Sequence, residues 1–312
     1  MNTKTGKIYV AGHSGMVGSA ITRSLIRKGY KNILTASHSE LDLIDQKAVH
    51  SFLLREKPDY IFIAAAKMGS MYAIASQPAD FIYENLLIEA NLIHGAHAAN
   101  VNKILFIASS TIYPFESPQP MKEEYLMKGP LHSSVEPYAL AKIIGIKLCE
   151  YYNRQFGRKY ISVVCPNLYG INDNYDPLVS NVLPSLIRRI YKAKKSGDKS
   201  ISIWGSGRSR REFLYVEDLA DACIFLMETH FFCDLLNVGT GHDIAIYELV
   251  DIIKKIMRYD GEVIFDISKP DGAPRKLIDI SRLEALGWRA QTNLLTGIKL
   301  VVDDGSFIND LS

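Results

Sequence analysis

No stretch of the chain approaches the roughly 20 apolar residues that a membrane-spanning helix needs, which excludes a helical membrane span. The opening segment MNTKTGKIYVAG lacks the apolar core and cleavage site of a secretory leader. Its apolar residues instead belong to a strand expected from near Lys7. A cytoplasmic location with no membrane partner is therefore expected. Charge of one sign is also scarce: 36 Lys and Arg against 34 Asp and Glu leave a net +2, too little to make nucleic acid the main partner. An anionic small molecule stays compatible. The four cysteines, Cys149, Cys165, Cys223 and Cys233, have no C-x-x-C spacing and lie in apolar runs, so they read as small reduced core residues. The eight histidines are scattered; His94 and His97 share a helix face, but no third ligand type stands near them and no metal site is expected. Repeats, low-complexity tracts and Gly/Pro/Ser-rich linkers are missing too, which argues against tethered independent domains.

What is present is a chain of 312 residues, 47% apolar and 22% charged, long enough to bury a substantial core. From Lys7 to about Val164, apolar runs alternate with helical periodicity, the pattern of repeated βαβ units and a parallel sheet. The strands read as KIYVAG, NILTAS, DYIFIAAA, KILFIASS and YISVVCP, with helices near 16–28, 46–56, 78–100 and 138–155. The fold class expected is α/β, a Rossmann doubly wound parallel sheet. Residues 1–165 would form the dinucleotide-binding domain and 166–312 mainly a smaller substrate lobe, interleaved with the sheet. That second half reads as a polar loop NLYGINDNYDP, a basic amphipathic helix LPSLIRRIYKAKK and a strand SISIWG. The segment GSGRSRREFLYVEDLADACIFLMETH follows as loop, strand and helix; then come LLNVGTG, the helix IYELVDIIKKIM, the strand EVIFDI and the loop SKPDGAPRK.

Two constellations carry chemistry. In VAGHSGMVGSAI, Gly12, Gly15 and Gly18 follow a strand and open a helix. Glycines at this spacing allow a tight turn, close approach of a phosphate and close helix–strand packing, so His13, Ser14, Met16 and Val17 of the same turn are candidate cofactor contacts. In EPYALAK, Tyr138 and Lys142 lie four residues apart on one helix face, and KILFIASS ends in Ser109 and Ser110. The ammonium is expected to lower the phenol's pKa and to touch a nicotinamide ribose. Ser109 would hydrogen-bond a substrate oxygen while Tyr138 gives it a proton. Taken alone, such a tyrosine and lysine would be ordinary helix-surface residues; after a glycine turn and a serine-ended fourth strand they form a catalytic set.

With these motifs in view, the chain resembles the extended short-chain dehydrogenase/reductases, and more closely the GDP-L-fucose synthases. The matching stretches also include PADFIYENLLIEANLIHGAH, EPYALAKIIGIKLCEYYNRQFGR, NLYG, WGSG, REFLYVEDLA, NVGTG and SKPDGAPRKLID, which together span nearly the whole chain. The resemblance implies Tyr138 as general acid, Lys142 as its cofactor-binding partner and Ser109 as the third member. It implies that Ala65, Ala66, Cys165, Asn167 and Leu168 line the cofactor. Arg189, Trp204, Arg211, Asp271 and Lys276 would hold the nucleotide-sugar, with Ser110, Thr111, Asn167 and Asn181 toward the sugar. A homodimer through the helices around 83–99 and 139–155 is implied as well.

Two departures from that family sharpen the expectation. Its members carry a cysteine two positions beyond the triad serine and a histidine before the helix corresponding to LPSLIRR, an acid–base pair that epimerises C3 and C5. Here those positions are Thr111 and Asn181, neither of which exchanges protons usefully near neutral pH. The family's two arginines for the 2′-phosphate are replaced by Ser14 and His38, yet TASHS places no carboxylate directly at the strand end for a free ribose. Ser14, Ser37, His38 and Ser39 can still bind phosphate, so NADPH is expected over NADH. The expected reaction is NADPH-dependent reduction of the C4 keto group of a GDP-4-keto-6-deoxyhexose or GDP-4-keto-heptose, without C3/C5 epimerisation. A bifunctional GDP-L-fucose synthase is the nearest alternative. A 4,6-dehydratase would need an Asp-Glu pair that TIYPFESP lacks, and a non-catalytic nucleotide binder would not be expected to keep both Tyr138 and Lys142.

Overall fold

The computed structural model describes residues 4–229, 233–269, 271–305 and 307–308. The first apolar run forms strand β1 (Ile8–Ala11), whose successive side chains point to opposite faces of a sheet. Ile8 and Val10 enter one buried cluster and Tyr9 and Ala11 another. With both faces covered, the strand has no polar side to show, hence its unbroken apolar sequence. There follow α1 (Met16–Arg27), β2 (Ile33–Leu34), α2 (Gln46–Glu56), β3 (Tyr60–Ile63), the short α3 (Met71–Ser76), α4 (Pro78–Ala98), β4 (Lys103–Ser109), α5 (Glu136–Phe156) and β5 (Ile161–Cys165). Local chemistry sets several ends. The Asp45 carboxylate accepts from the Ala48 N–H to start α2, and Pro78 and Pro137 sit in first turns where a missing N–H costs no helical bond. Gly157 closes α5 in the left-handed region, at φ 65°.

The second half comprises β6 (Asn167–Tyr169), α6 (Val182–Ser196), β7 (Ser200–Trp204), β8 (Arg210–Tyr215), α7 (Val216–Glu228), β9 (Leu235–Asn237), β10 (Asp243–Ala245), α8 (Ile246–Met257), β11 (Glu262–Asp266), β12 (Arg275–Lys276), α9 (Ser281–Ala285) and α10 (Leu294–Asp304). The main sheet is parallel throughout, in the order β2-β1-β3-β4-β5-β9. Helices α1 and α7 cover one face and α2, α4 and α5 the other, a doubly wound Rossmann arrangement. The chain leaves the sheet after Cys165 and returns to it through α7 and β9, which pairs with β5. Between these points and beyond them, β8 organises a smaller lobe by pairing with β6, β10 and β12, while β7 pairs with β11. Ile187 and Ile190 of α6, Leu249 and Ile253 of α8 and Ile298 of α10 form this lobe's own core. Each such side chain contributes roughly 1.5–3 kcal/mol by burial, enough to make the lobe a firm support for what it presents. Among the described residues no helix is long and apolar enough to cross a membrane, and all four cysteines are buried and free.

The order of strands places the site. From β1 the sheet grows to one side through β2 and to the other through β3, so the loops leaving the carboxyl ends of β1 and β3 part and leave a crevice.

Candidate active site

Two glycines of the crevice leave no room for anything larger. Gly12 turns at φ +82°, and a Cβ there would lie 2.6 Å from the Ala65 backbone nitrogen. A Cβ on Gly18 would fall 2.1 Å from the Gly12 carbonyl, so α1 can pack this close to the turn only with glycine there. Gly15 differs, since a Cβ would meet nothing nearer than 3.6 Å and the space beyond is open. No side chain caps α1 and no acidic residue stands in its first turn. Its first N–H groups are therefore free for a pyrophosphate, and Gly15, Met16 and Val17 line a cavity of about 1470 Å³. Ala66 lines it too; the loop after β3 is pinned by the buried Asn85, which accepts from the Lys67 N–H and donates to the Lys67 carbonyl. His13 carries a buried Nδ1 with no partner among the described residues.

In the loop beyond β2, Glu40 folds back to accept from the Ser37 N–H (2.8 Å) and hydroxyl (2.7 Å), which hold its carboxyl below the usual range. The Ser37 hydroxyl also lies 3.0 Å from that of Ser39, and His38 stands exposed 3.9 Å from Asp42.

The three catalytic candidates come from two elements. Ser109 ends β4, and its Oγ accepts from the Thr111 N–H at 3.4 Å as a single 3-10 turn, Ser110–Ile112, begins. Tyr138 and Lys142 sit one turn apart on α5, 4% and 2% exposed, and line the same cavity as Ser109. The Lys142 ammonium is 5.7 Å from the Tyr138 ring centroid and 4.8 Å from that of Phe106. It is also 2.9 Å from a carboxylate that sequence reasoning missed, Glu89 of α4. The expected lowering of the phenol's pKa is overturned: burial drives Tyr138 well above its ordinary value, with Cys165 and Glu89 adding to the rise. The lysine's charge is largely matched by Glu89, so desolvation of the phenol wins. Burial likewise pushes the Cys165 thiol up to about 12, and its Sγ donates to the Ala108 carbonyl.

Cations gather elsewhere in the cavity. Lys276 of β12 pairs in register with Arg211 of β8, so the two stand side by side on neighbouring strands. Arg211 Nη1 donates to the carbonyls of Arg210 and Ala273, and burial lowers its guanidinium's pKa. Burial and Arg211 push Lys276 down to about 8. Glu212 anchors this region from below, fully buried, accepting from the N–H groups of Thr240, Gly241 and Ile278. Trp204 presents an exposed ring with the Lys269 ammonium 5.6 Å from its centre, and the Asp271 carboxylate accepts from the N–H and hydroxyl of Ser206. Thr111, Asn167, Leu168 and Asn181 face the same space. The Thr111 hydroxyl is buried without a partner among the described residues, and Asn181 precedes α6 without capping it through its side chain.

Not every candidate converges there. Ser110 is buried in the 3-10 turn, and Arg189 is exposed with its guanidinium on the Ser202 carbonyl, beside the cavity-lining Ile203 and Trp204. The neighbouring Arg188 lines the cavity instead, with Nη1 on the Tyr175 carbonyl. Two further lining groups were not anticipated. His132 is held below its ordinary value by burial and then by Lys276, and Asp173 is pushed up to about 7 by burial, its Oδ2 unpartnered among the described residues.

Comparison with known proteins agrees with this geometry. Residues 8–239 match the NAD dependent epimerase/dehydratase family. The chain is 48% identical over 301 residues to GDP-L-fucose synthase of Escherichia coli K12, covering 94% of each protein. Among solved structures it is similar to MlghC, a GDP-mannoheptose C4 reductase from Campylobacter jejuni with NADP bound, with a TM-score of 0.89, 37% identity, and coverage of 97% and 99%. It is also similar to a GDP-6-OMe-4-keto-L-xylo-heptose reductase from C. jejuni, with a TM-score of 0.91, 36% identity, and coverage of 98% and 99%.

Proposed function

The chain belongs to the NAD dependent epimerase/dehydratase family as a GDP-L-fucose synthase-like extended short-chain dehydrogenase/reductase, and on that premise we propose that it reduces the C4 keto group of a GDP-linked 4-keto sugar with NADPH and leaves C3 and C5 unepimerised. One observation carries this reading. A single cavity holds Ser109, Tyr138 and Lys142 together with Arg211 and Lys276, while the two positions facing it that would need an acid and a base hold Thr111 and Asn181. The two C. jejuni neighbours, both reductases of GDP-heptoses, support it.

Bound NADPH supplies a hydride to the carbonyl carbon. The chain's own residues do the rest. The first turn of α1 receives the pyrophosphate, Ser14, Ser37, His38 and Ser39 face the 2′-phosphate, and Cys165, Asn167 and Leu168 border the nicotinamide. Residues 1–165 thus serve mainly the cofactor and 166–312 the sugar nucleotide. Ser109 donates to the carbonyl oxygen and Tyr138 protonates it. The high pKa that burial gives the phenol keeps it protonated across the physiological range, the state a general acid requires. Arg211, Lys276 and, after turning from Ser202, Arg189 meet the diphosphate, with Trp204 and Asp271 alongside. Tyr83, Leu140, Ile144 and Tyr151 on α4 and α5 are exposed apolar residues suited to a homodimer, acting in the cytoplasm.

The test is a panel of GDP-4-keto hexoses and heptoses assayed for NADPH oxidation, with product made in D2O and corrected for enzyme-free exchange. Reduction with no enzyme-dependent deuterium at C3 or C5 is expected, because the proton given to oxygen washes out. Stoichiometric label at either carbon would overturn the reductase-only reading and turn attention to His132 and Asp173, the unanticipated acid–base groups in the cavity.

A further inference from the structure

A buried carboxylate stands against Lys142. Glu89 lies midway along α4, 1% exposed, where an ionised group is costly to bury unless paired. Its Oε1 is 2.9 Å from Lys142 Nζ, and Lys142 is itself 2% exposed. The contact depends on how closely α4 and α5 approach. A Cβ on Gly145 would fall 2.6 Å from Glu89 Oε2 and 2.5 Å from the Phe106 ring, so glycine on α5 makes the room. The ammonium is thus enclosed by the Glu89 carboxylate, the face of Phe106 from β4 and the ring of Tyr138. The other titratable groups acting on this pair are Tyr138 and Cys149 of α5 and Cys165 of β5, all buried. Among the described residues Glu89 is the one carboxylate in ion-pair contact with Lys142, and it does not line the cavity.

We propose that Glu89 is the positioning residue of the active site: it holds the Lys142 ammonium charged and in place beside Tyr138 before any ligand arrives. This rests on the reading of Tyr138 and Lys142 as the catalytic pair. Without the carboxylate, a buried ammonium would have to release its proton or withdraw toward solvent, and either change removes it from Tyr138 and from the ribose.

Two sets of measurements test this. In the first, thermal unfolding compares wild type, E89Q, K142M and E89Q/K142M. Each single variant should unfold at lower temperature, and the double variant should regain part of the loss, since it buries no unmatched charge. This result needs no substrate and stands or falls separately from the assigned reaction. In the second, E89Q should lower reductase kcat at least about tenfold near pH 8.5 and by less near pH 6.5, where an unmatched ammonium keeps its proton more readily. E89D should recover part of the activity. An unchanged kcat in E89Q, or a loss equal at both pH values with no coupling in unfolding, would overturn the proposal. If E89Q alone does not fold, E89Q/K142M must; failure of both would reduce Glu89 to a packing residue.

Discussion

Two lysines line one cavity and are held there by opposite means. Lys142 has its counter-charge built in, with Glu89 at 2.9 Å and aromatic faces around it. Lys276 has like charge for a neighbour, since strand register sets it beside Arg211, and the nearby Asp271 carboxylate is engaged by Ser206. Among the described residues no ion pair to Lys276 is present. Lys142 is therefore electrostatically matched in the free protein, whereas Arg211 and Lys276 carry an excess of positive charge that an anion would balance. The repulsion stored between Arg211 and Lys276 reappears as affinity when a diphosphate binds.

The contrast breaks most visibly at the chemistry. Tyr138→Phe keeps the buried ring and removes only the hydroxyl, so binding of NADPH and of GDP-sugar should both persist while turnover falls at least about a hundredfold. Steady-state kinetics with parallel binding titrations measure this. Turnover near that of wild type would remove Tyr138 from the role of acid.

Arg211→Ala should separate the two sides. A charge-assisted hydrogen bond is worth about 1.5–3 kcal/mol, so GDP-sugar binding should weaken by roughly 10- to 150-fold while NADPH binding holds. Because Arg211 also ties Arg210 to Ala273, Arg211→Lys serves as a control for the lost tie. Calorimetry showing equal loss for both ligands would mean the two sides are not independent.

The two sides were not equally legible in the sequence. The long strands and helices of the sheet announce themselves because each buries several residues at one period, and the spacing predicts α2 over 46–56, where it stands. Strands β6, β10 and β12 have two or three residues each, too few for any period, and exist only because β8 offers them edges. The chemistry followed the same divide. The glycine turn and the Tyr138–Lys142 spacing are local. Glu89 belongs to the pair only through the packing of α4 on α5; its one sequence signal was a lone acid inside the apolar stretch LLIEANLI. Glu212 hid among the charges of RREF, and its burial depends on β8 lying under the 240–241 turn and Ile278. Arg188 and Arg189 are one residue apart and about 100° apart around α6, a choice of face that depends on how the helix seats on its lobe.

The smallest effect is the most specific to the side that lacks a counter-charge. Lys276 sits at about 8 in the free protein, below the ordinary lysine value, because burial and Arg211 penalise its charge. A bound diphosphate favours the charged form, so binding above about pH 8 must take up a proton, and affinity should fall as pH rises, by at most about tenfold per unit. GDP-mannose is a suitable probe, since its diphosphate has no proton to lose above neutrality. Stability of the free protein should move the other way. Between about pH 8 and the ordinary lysine value the unfolded chain binds the proton that the folded chain has given up, so this group makes the fold more stable as pH rises through that window. Lys276→Met should bind the probe more weakly at pH 7 and lose both dependences together. Calorimetric titrations at about pH 7 and pH 9, paired with thermal unfolding at the same values, distinguish this from a general alkaline weakening, which would lower affinity and stability alike. A wild-type affinity that is flat across that range would mean that Lys276 keeps its charge unaided, and the need for an anion to balance the excess charge would rest on Arg211 alone.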